Sequence, residues 1–240
     1  MKKDLLTSLI AVVVISVCFG LVYPLAITGI AQVAFPGRAN GSKVSVNGKV
    51  VGSSLIGQSF SRPVIGKNGK PKLDSEGEEV LVPDRRYFQP RPSATGYSAD
   101  VTYFGNLGPN SVEEREEVRE NLASYMALER PYDRALAKDQ VPVDAVTVSA
   151  SGVDPEISQA NARIQAHRVA AVRGLPLTKV DELISEHTNG RFLGVFGEPG
   201  VDVLQLNIAL DKEAPVSAER GQRPYLTLRN RAKRDPGVSG

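Results

Sequence analysis

The amino-acid sequence predicts an α+β fold, a mixed sheet with flanking helices, joined to a single N-terminal transmembrane helix. Three observations support this fold class. No charged residue occurs from Leu5 to Gly37, and so long an apolar run is typical of a membrane span. An Asn-Gly pair between β-branched residues predicts a hairpin. Capped segments with apolar residues three or four positions apart predict helices in the second half of the chain.

The apolar run reads "LLTSLIAVVVISVCFGLVYPLAITGIAQVAF". Thirty helical residues extend about 45 Å, which exceeds the hydrocarbon layer of about 30 Å. We therefore expect the helix to tilt, to kink at Pro24 or to project beyond the membrane. A cleaved signal peptide, with Lys2 and Lys3 as its basic region, and a buried helix of a soluble protein are the alternatives. The apolar part of a signal peptide is only about 7–15 residues long, which favours an uncleaved anchor.

Small residues recur along one side of this helix. Ser16, Gly20, Pro24 and Thr28 are spaced four residues apart, and small residues allow two membrane helices to approach closely. The strip is therefore a candidate interface with a partner helix. Because Gly and Ser are common in membrane helices generally, the alternative is that the spacing has no function. Basic residues flank both ends of the helix, so their count does not set its orientation.

A hairpin is expected directly after the membrane helix. In "KVSVNGKVVG" the pair Asn47-Gly48 separates two β-branched runs, and this pair suits a type I′ turn because both central residues need positive φ. Residues 64–83 are rich in turn-forming and charged residues, which predicts a surface insertion that is either an irregular excursion or an extra hairpin.

Three capped helices are expected further along the chain. A capping box at Ser111 and Glu114 opens a helix that ends before Pro131. Ser158 is expected to cap a helix that is closed by Gly174. We expect another helix to start at a cap formed by Thr178 and Asp181 and to end near Gly190.

Two strands are predicted in the same half of the chain. Residues 145–149 form a short segment rich in β-branched residues, which predicts a strand. Residues 203–211 show apolar residues at every second position, which is typical of a strand with one buried face.

These elements divide the chain into an N-terminus with a transmembrane helix (1–37), a soluble α+β domain (38–211) that includes the insertion, and a tail (212–240). The tail has seven Lys or Arg and three Asp or Glu among Pro, Gly and Ser, which predicts a basic disordered segment. The net charge of +2 and the absence of a basic stripe with aromatics argue against a nucleic-acid partner.

Catalytic and metal-binding patterns are missing from the sequence. The single cysteine, Cys18, allows neither a disulfide nor a cysteine metal site within the chain. His167 and His187 both fall on predicted helices among polar residues, which favours solvated histidines over an acid–base role. An anchored domain that binds or senses a ligand and an anchored hydrolase with a scattered site remain open at this point.

The segment "QPRPSATGYSAD" at residues 89–100 contains the clearest candidate for an interaction. Prolines on both sides of Arg91 stiffen the chain, so ordering the loop costs little entropy. Arg91 is able to bind a carboxylate or carbonyl groups, and Ser93 and Thr95 add hydroxyl groups. These three residues either dock the domain onto a partner protein or fasten the domain's own loop.

Several segments together resemble the C subunit of bacterial Kdp potassium-transporting P-type ATPases. They occur in the family's order and span most of residues 5–211. The segments are "YPL" (23–25), "ANGS" (39–42), "GSSLIGQSF" (52–60), "YFQPRPSAT" (87–95), "GNLGPNS" (105–111), "VTVSASGVDPEIS" (146–158) and "GEPGVDVLQLNIALD" (197–211).

The resemblance implies a non-catalytic subunit of an ATP-driven potassium pump in the cell (inner) membrane. It implies three partners: a channel-like potassium-binding subunit, a P-type ATPase subunit and a small single-helix subunit. It also implies that the N-terminus is cytoplasmic and that the soluble domain is extracytoplasmic. ATP and Mg²⁺ are then expected on the ATPase partner, and no cofactor is expected on this chain.

The resemblance further implies that Gln58, in "GQSF", contributes to nucleotide affinity. Two physical arguments oppose this role. An extracytoplasmic domain does not reach cytoplasmic ATP, and the residues around Gln58 do not form a recognisable phosphate-binding backbone nest.

Overall fold

A long N-terminal helix precedes the folded domain in the computed structural model, which describes residues 2–98 and 106–216. Helix α1 (Lys2–Val17), a π turn (Cys18–Val22) and helix α2 (Tyr23–Ala34) form one continuous helix. Its 33 residues include an apolar run long enough to cross a membrane, and that run is not buried by the rest of the chain. The prediction of a single N-terminal apolar helix is confirmed.

The π turn lies immediately before Pro24. Proline has no N–H group, so it cannot donate the hydrogen bond that a regular helix would direct to the carbonyl of Gly20. The backbone instead bonds from the Tyr23 N–H to the Cys18 carbonyl, five residues back. The predicted irregularity at Pro24 therefore takes the form of a π turn. This turn changes how the residues between Ser16 and Thr28 are aligned around the helix axis.

The chain then makes a short helix, α3 (Pro36–Ala39), and the predicted hairpin of β1 (Lys43–Val46) and β2 (Lys49–Ser53). Asn47 and Gly48 have φ values of 50° and 77°, as a type I′ turn requires. Valines on one face of this hairpin pack against the main core.

Strands β3 (Ser61–Pro63) and β4 (Leu81–Pro83) pair antiparallel. Beyond them, isolated bridges join Ile65 to Pro71 and Leu73 to Glu79. The residues between the two strands therefore pair through single antiparallel bridges, and most of them are exposed.

The main body is a three-stranded antiparallel sheet in the order β5-β7-β6. Helices α5 and α7 contact this sheet, and α6 packs against both helices. Apolar residues from these helices and from β7 form one core, together with Phe60, Tyr87 and Phe88 from the preceding loops. The elements are β5 (Glu156–Ser158), α5 (Gln159–Arg173), α6 (Leu177–Glu186), β6 (Thr188–Asn189), β7 (Gly200–Asp202) and α7 (Val203–Glu213).

Helix α4 (Val112–Glu129) packs through Tyr125 against a smaller cluster with Ala145 and Val146. The side chain of Ser111 accepts a hydrogen bond from the Glu114 N–H at 2.9 Å, and the helix ends before Pro131. The Ser111 half of the predicted capping box and the predicted boundary are confirmed, whereas the Ser111 N–H donates to the Gly108 carbonyl at 2.8 Å instead of to the Glu114 side chain. The predicted combination of helices and sheet is also confirmed, and each strand pair in the described parts of the chain is antiparallel, so the sheet is not mixed.

Three local predictions are wrong. Residues 203–213 form a helix because Asp202 caps it, with Oδ1 accepting from the Gln205 N–H at 2.9 Å. Nearly every side of this helix is buried, so its apolar residues also satisfy an every-second-residue pattern. The expected strand at 145–149 is instead a 3₁₀ turn (Val143–Ala145) followed by a loop. Helix α6 has Pro176 as its N-cap, not Thr178, and it ends earlier because the chain passes into β6.

The basic tail expected from residue 212 lies largely outside the described residues, which end at 216.

Candidate functional site

The loop of residues 84–97, which follows β4, contains the predicted interaction residues and is held by side chains from the core helices. Asp84, at its start, is buried and forms an ion pair with Arg86 at 2.6 Å. The side-chain amide of Gln89 donates to the carbonyls of Phe60 and Asp84. The first half of the loop is therefore fastened to the chain that precedes it.

Two side-chain amides hold the backbone of this loop as a neighbouring β-strand would. Asn207 on α7 accepts from the Phe88 N–H at 2.9 Å and donates to the Phe88 carbonyl at 3.0 Å. Gln165 on α5 accepts from the Gln89 N–H at 2.7 Å and donates to the Gln89 carbonyl at 2.9 Å. Each amide satisfies one backbone donor and one backbone acceptor, which removes the cost of burying them.

A buried ion pair supports the same loop from below. The side chain of Arg168 on α5 is fully buried and bonds through Nε to both carboxylate oxygens of Glu129 at 2.9 and 3.0 Å. Its Nη1 donates to the carbonyls of Arg85 and Tyr87 at 2.6 and 2.9 Å. Burial raises the pKa of Glu129, and the adjacent Arg168 charge opposes that increase.

Tyr87 provides a third attachment, to α5 and α7. Its hydroxyl donates to Asp211 at 3.1 Å, and the guanidinium of Arg173 lies 4.6 Å from the centre of its ring. Arg173 is also paired with Asp211 at 2.9 Å. Burial, with a smaller contribution from Asp211, raises the pKa of Tyr87 to about 12, so the phenol stays protonated at physiological pH.

The three predicted interaction residues of the loop rest on the segment 147–154. Arg91 Nη1 pairs with Asp154 at 3.0 Å, and Ser93 and Thr95 donate to the Gly152 carbonyl at 2.5 and 3.3 Å. Both side chains of the ion pair are about one quarter exposed. The structure therefore brings Arg91, Ser93 and Thr95 together and gives each an internal contact; their docking to a partner stays a prediction.

Glycines allow this close packing at two points. Gly152 has φ +68°, and an added Cβ would lie 2.8 Å from Thr95 Oγ1. At Gly57 an added Cβ would lie 2.3 Å from the Asp154 carbonyl oxygen, and the Gly57 N–H donates to the Val153 carbonyl at 2.7 Å. The glycine of "GQSF" thus fixes this motif to the segment that supports Arg91.

Gln58 is half-buried beside Gly52 and Leu204. A Cβ added to Gly52 would lie 2.7 Å from Gln58 Oε1 and 2.8 Å from Leu204. This side chain therefore packs closely against the base of the β1–β2 hairpin. Its proposed contribution to nucleotide affinity stays a prediction.

The four candidate residues of the membrane helix, Ser16, Gly20, Pro24 and Thr28, are exposed. Nothing lies within 4 Å of a Cβ added to Gly20, so a neighbouring helix has room to approach. Use of this strip as an interface stays a prediction.

The two histidines differ in their surroundings. His167 is exposed on α5, as predicted. His187 is half-buried at the end of α6, and its Nδ1 lies 2.8 Å from the Leu183 carbonyl oxygen. His187 also lines an open cleft of about 390 Å³ between the hairpin and α7. Within residues 2–98 and 106–216, no three His, Cys, Asp or Glu side chains cluster as a metal site would require.

Sequence reasoning missed the polar residues that hold the loop: Glu129, Gln165, Arg168 and Asn207. One signal was available for two of them. Gln165 and Arg168 are three residues apart on α5, on the side that buries Ala162, Ala166 and Val169. Long polar side chains on an otherwise apolar helix face require buried partners.

Comparisons with known proteins identify the family. A family model described as "KdpC: K+-transporting ATPase, c chain" matches residues 5–212. A Streptomyces coelicolor protein called "Potassium-transporting ATPase KdpC subunit" is 44% identical over 208 residues, which cover 83% of this chain and 88% of the relative. Proteins with the same name from Koribacter versatilis and Mycobacterium tuberculosis are both 40% identical, over 92% and 88% of this chain and the full length of each relative.

The matched region includes the apolar helix, the hairpin, the loop of residues 84–97 and the helices that hold it. The chain therefore belongs to the KdpC family, the c chain of K⁺-transporting ATPases.

Proposed function

We propose that this chain is a non-catalytic subunit of an ATP-driven potassium uptake pump, which assembles or stabilises a channel-like potassium-binding subunit, a P-type ATPase subunit and a small single-helix subunit. The observation that carries the proposal is the family match over residues 5–212. That match covers both the apolar helix and the folded domain, so the two parts are expected to act together in the assembly.

In this proposal the apolar helix crosses the cell membrane with its N-terminus in the cytoplasm, and the folded domain lies outside. Only eight residues, 35–42, separate α2 from β1. At about 3.3–3.6 Å per extended residue they reach at most ~29 Å. The domain therefore stays close to the outer membrane surface, where it covers the external ion entrance of the channel-like subunit.

The loop of residues 84–97 is the proposed contact with that subunit. Its backbone is already ordered by Gln165, Arg168 and Asn207, so docking does not require further ordering. The partly exposed ion pair between Arg91 and Asp154 offers both charges to polar groups of a partner.

Nucleotide chemistry belongs to the partner in this proposal. ATP and Mg²⁺ bind the P-type ATPase subunit on the cytoplasmic side, and this chain binds no cofactor of its own. Gln58 then has only a packing role, and replacing it by Ala leaves the nucleotide affinity of the complex unchanged.

A pull-down from native membranes in a mild detergent, followed by mass spectrometry, tests the proposal. Recovery of a polytopic channel-like protein and a P-type ATPase with the chain is the expected result. Reproducible recovery of the chain alone would overturn it and would direct attention to a ligand in the cleft beside His187.

The same pull-down with Arg91→Ala tests the contact of the loop. We expect reduced recovery of the channel-like protein, whereas Arg163→Ala, which changes an exposed arginine on α5, leaves recovery unchanged. If Arg91→Ala folds normally and retains its partners, Arg91 serves only to fasten the domain's own loop.

A further inference from the structure

A tight loop between β6 and β7 presents a group of large apolar side chains to solvent. Isolated exposed apolar residues are ordinary on protein surfaces, but adjacent ones mark interaction sites. The two phenylalanine side chains alone, at ~150–250 Å² for each whole side chain, expose on the order of 200–340 Å². The exposed fractions are 71% for Phe192, 75% for Leu193, 68% for Val195 and 63% for Phe196.

The turn holds these side chains in place. The N–H groups of Phe192 and Phe196 donate to each other's carbonyls at 2.8 and 3.0 Å, and the two rings lie 6.5 Å apart. Leu193 has φ 52°, an unfavourable value for a residue with a side chain. At the base of the loop, Arg191 pairs with Glu198 at 2.9 Å. The apolar group is therefore preformed and does not fold back onto the domain.

The charges around the group favour a protein over a lipid surface. Elements that bind the membrane interface combine Trp, Tyr, Phe or Leu with basic residues that attract lipid headgroups. Residues 190–199 contain one basic residue, Arg191, and Glu198 neutralises it. Two phenylalanines within a rim that has no net charge match the apolar centre and polar rim of a protein interface.

The area favours a partner in the same membrane over a second copy of this chain. A stable interface buries about 800 Å² on each side, which exceeds what this loop supplies. A subunit that is already bound to this chain at another contact, such as the helix Lys2–Ala34, meets the loop at a high effective concentration. A smaller contact is then sufficient.

We propose that the loop of residues 190–199 is a docking element that inserts Phe192 and Phe196 into an apolar pocket on the outer face of a membrane subunit assembled with this chain. The inference rests on the proposed function and adds to it a second contact, separate from Arg91. The two rings are the anchors, and the ion pair between Arg191 and Glu198 lies at the edge of the interface.

The full chain, coexpressed with its complex and purified in mild detergent, allows the test. The loop variant is Phe192→Ser with Phe196→Ser. The matched control replaces two exposed apolar residues elsewhere, Leu73→Ser with Val143→Ser. We expect the loop variant to recover membrane partners at least about tenfold less well, as for the loss of interface anchors, and we expect the control to recover them as the wild type does.

The outcomes separate this inference from the proposed function. If the wild-type chain recovers its partners and the loop variant recovers them equally well, the docking element is wrong and the proposed function stands. If the wild-type chain recovers no partner, the proposed function fails and this inference fails with it.

A second measurement covers the case in which the loop variant does not fold. Val195 is replaced in the otherwise wild-type chain by the photocrosslinking residue p-benzoylphenylalanine, and Leu73 is replaced likewise as the control. A crosslink from position 195, but not from position 73, to a membrane protein of the complex supports the proposal. Crosslinks to lipid alone, to a second copy of this chain, or to nothing overturn it.

Discussion

Replacing Arg168 by Met tests the role of the buried ion pair that supports the loop of residues 84–97. Methionine fills a similar volume without the charge. The change leaves the Glu129 carboxylate buried without its cationic partner. It also removes the donor to the Arg85 carbonyl, whereas the Tyr87 carbonyl keeps a hydrogen bond from Gln89 Nε2 at 3.2 Å.

The expected loss of unfolding free energy is about 4–6 kcal/mol. Removing one partner of a buried ion pair costs about 3–5 kcal/mol, and one unsatisfied carbonyl adds roughly 1 kcal/mol. Because the total stability of a domain is about 5–15 kcal/mol, this single substitution removes a large part of it. The same substitution at Arg163, which is exposed on α5, is expected to cost less than about 0.5 kcal/mol.

Urea unfolding of the full chain in detergent, followed by circular dichroism, measures this loss. The double variant Arg168→Met with Glu129→Leu removes both charges and should be more stable than Arg168→Met alone. A loss below about 1 kcal/mol for Arg168→Met, or a double variant less stable than the single one, would refute the reasoning.

The pH dependence provides an independent check. Burial already raises the pKa of Glu129, and without Arg168 the raised pKa is no longer opposed. A carboxyl group whose pKa is higher in the folded state stabilises the fold below its unfolded pKa and loses that contribution as pH rises. Arg168→Met should therefore be less destabilising in mildly acidic solution than at neutral pH.

Two further predictions concern the segment below the loop and the start of α7. Gly152→Ala should lower the unfolding free energy by about 1–2 kcal/mol more than Gly174→Ala. Both positions have positive φ, but only at Gly152 does the added Cβ meet Thr95; equal losses in urea unfolding would contradict this. Burial raises the pKa of Asp202, so stability should fall as pH rises from its ordinary value near 4 through the raised one. Asp202→Asn keeps a capping side chain and should remove this slope from melting temperatures measured between about pH 4 and 7; an unchanged slope would assign it to other groups.

The elements predicted correctly from sequence are those whose signals are local. The hairpin follows from Asn47 and Gly48, whose positive φ values are a property of two adjacent residues. The cap at Ser111 and the end of α5 at Gly174 also depend on neighbouring residues. Such signals act over a few residues, so tertiary contacts do not need to be known.

Helix α7 shows where a local pattern is ambiguous. Leu204, Leu206, Ile208 and Leu210 occupy every second position, which predicts a strand. Asn207 between them is also buried, because it binds the backbone of Phe88. A helix enclosed on most sides has no polar face to reveal its period. The sequence signal that favours a helix over a strand is Asp202 three residues before Gln205, because Asp202 caps the helix by accepting from the Gln205 N–H.

The polar residues that hold the loop were beyond sequence reasoning for a different reason. Gln165 binds the backbone of Gln89 from 76 positions away, and Asn207 binds Phe88 from 119 positions away. Pairing at such separations depends on how the helices pack. The candidate residues Arg91, Ser93 and Thr95 were identifiable from their own segment, but the network that orders them was not.

Both proposed contacts are fixed to the same core, but stability and partner binding measured together separate their effects. The loop of residues 84–97 is held by α5 and α7, and the loop of residues 190–199 leads into β7, which continues directly into α7. Weakening the core through Arg168 should therefore reduce stability and partner binding together. Changing Phe192 and Phe196 should reduce partner binding alone, because their side chains contribute exposed surface and the turn is held by backbone hydrogen bonds. A loss of stability in both variants would mean that the apolar loop also supports the fold, and the crosslink from position 195 would then decide whether it docks.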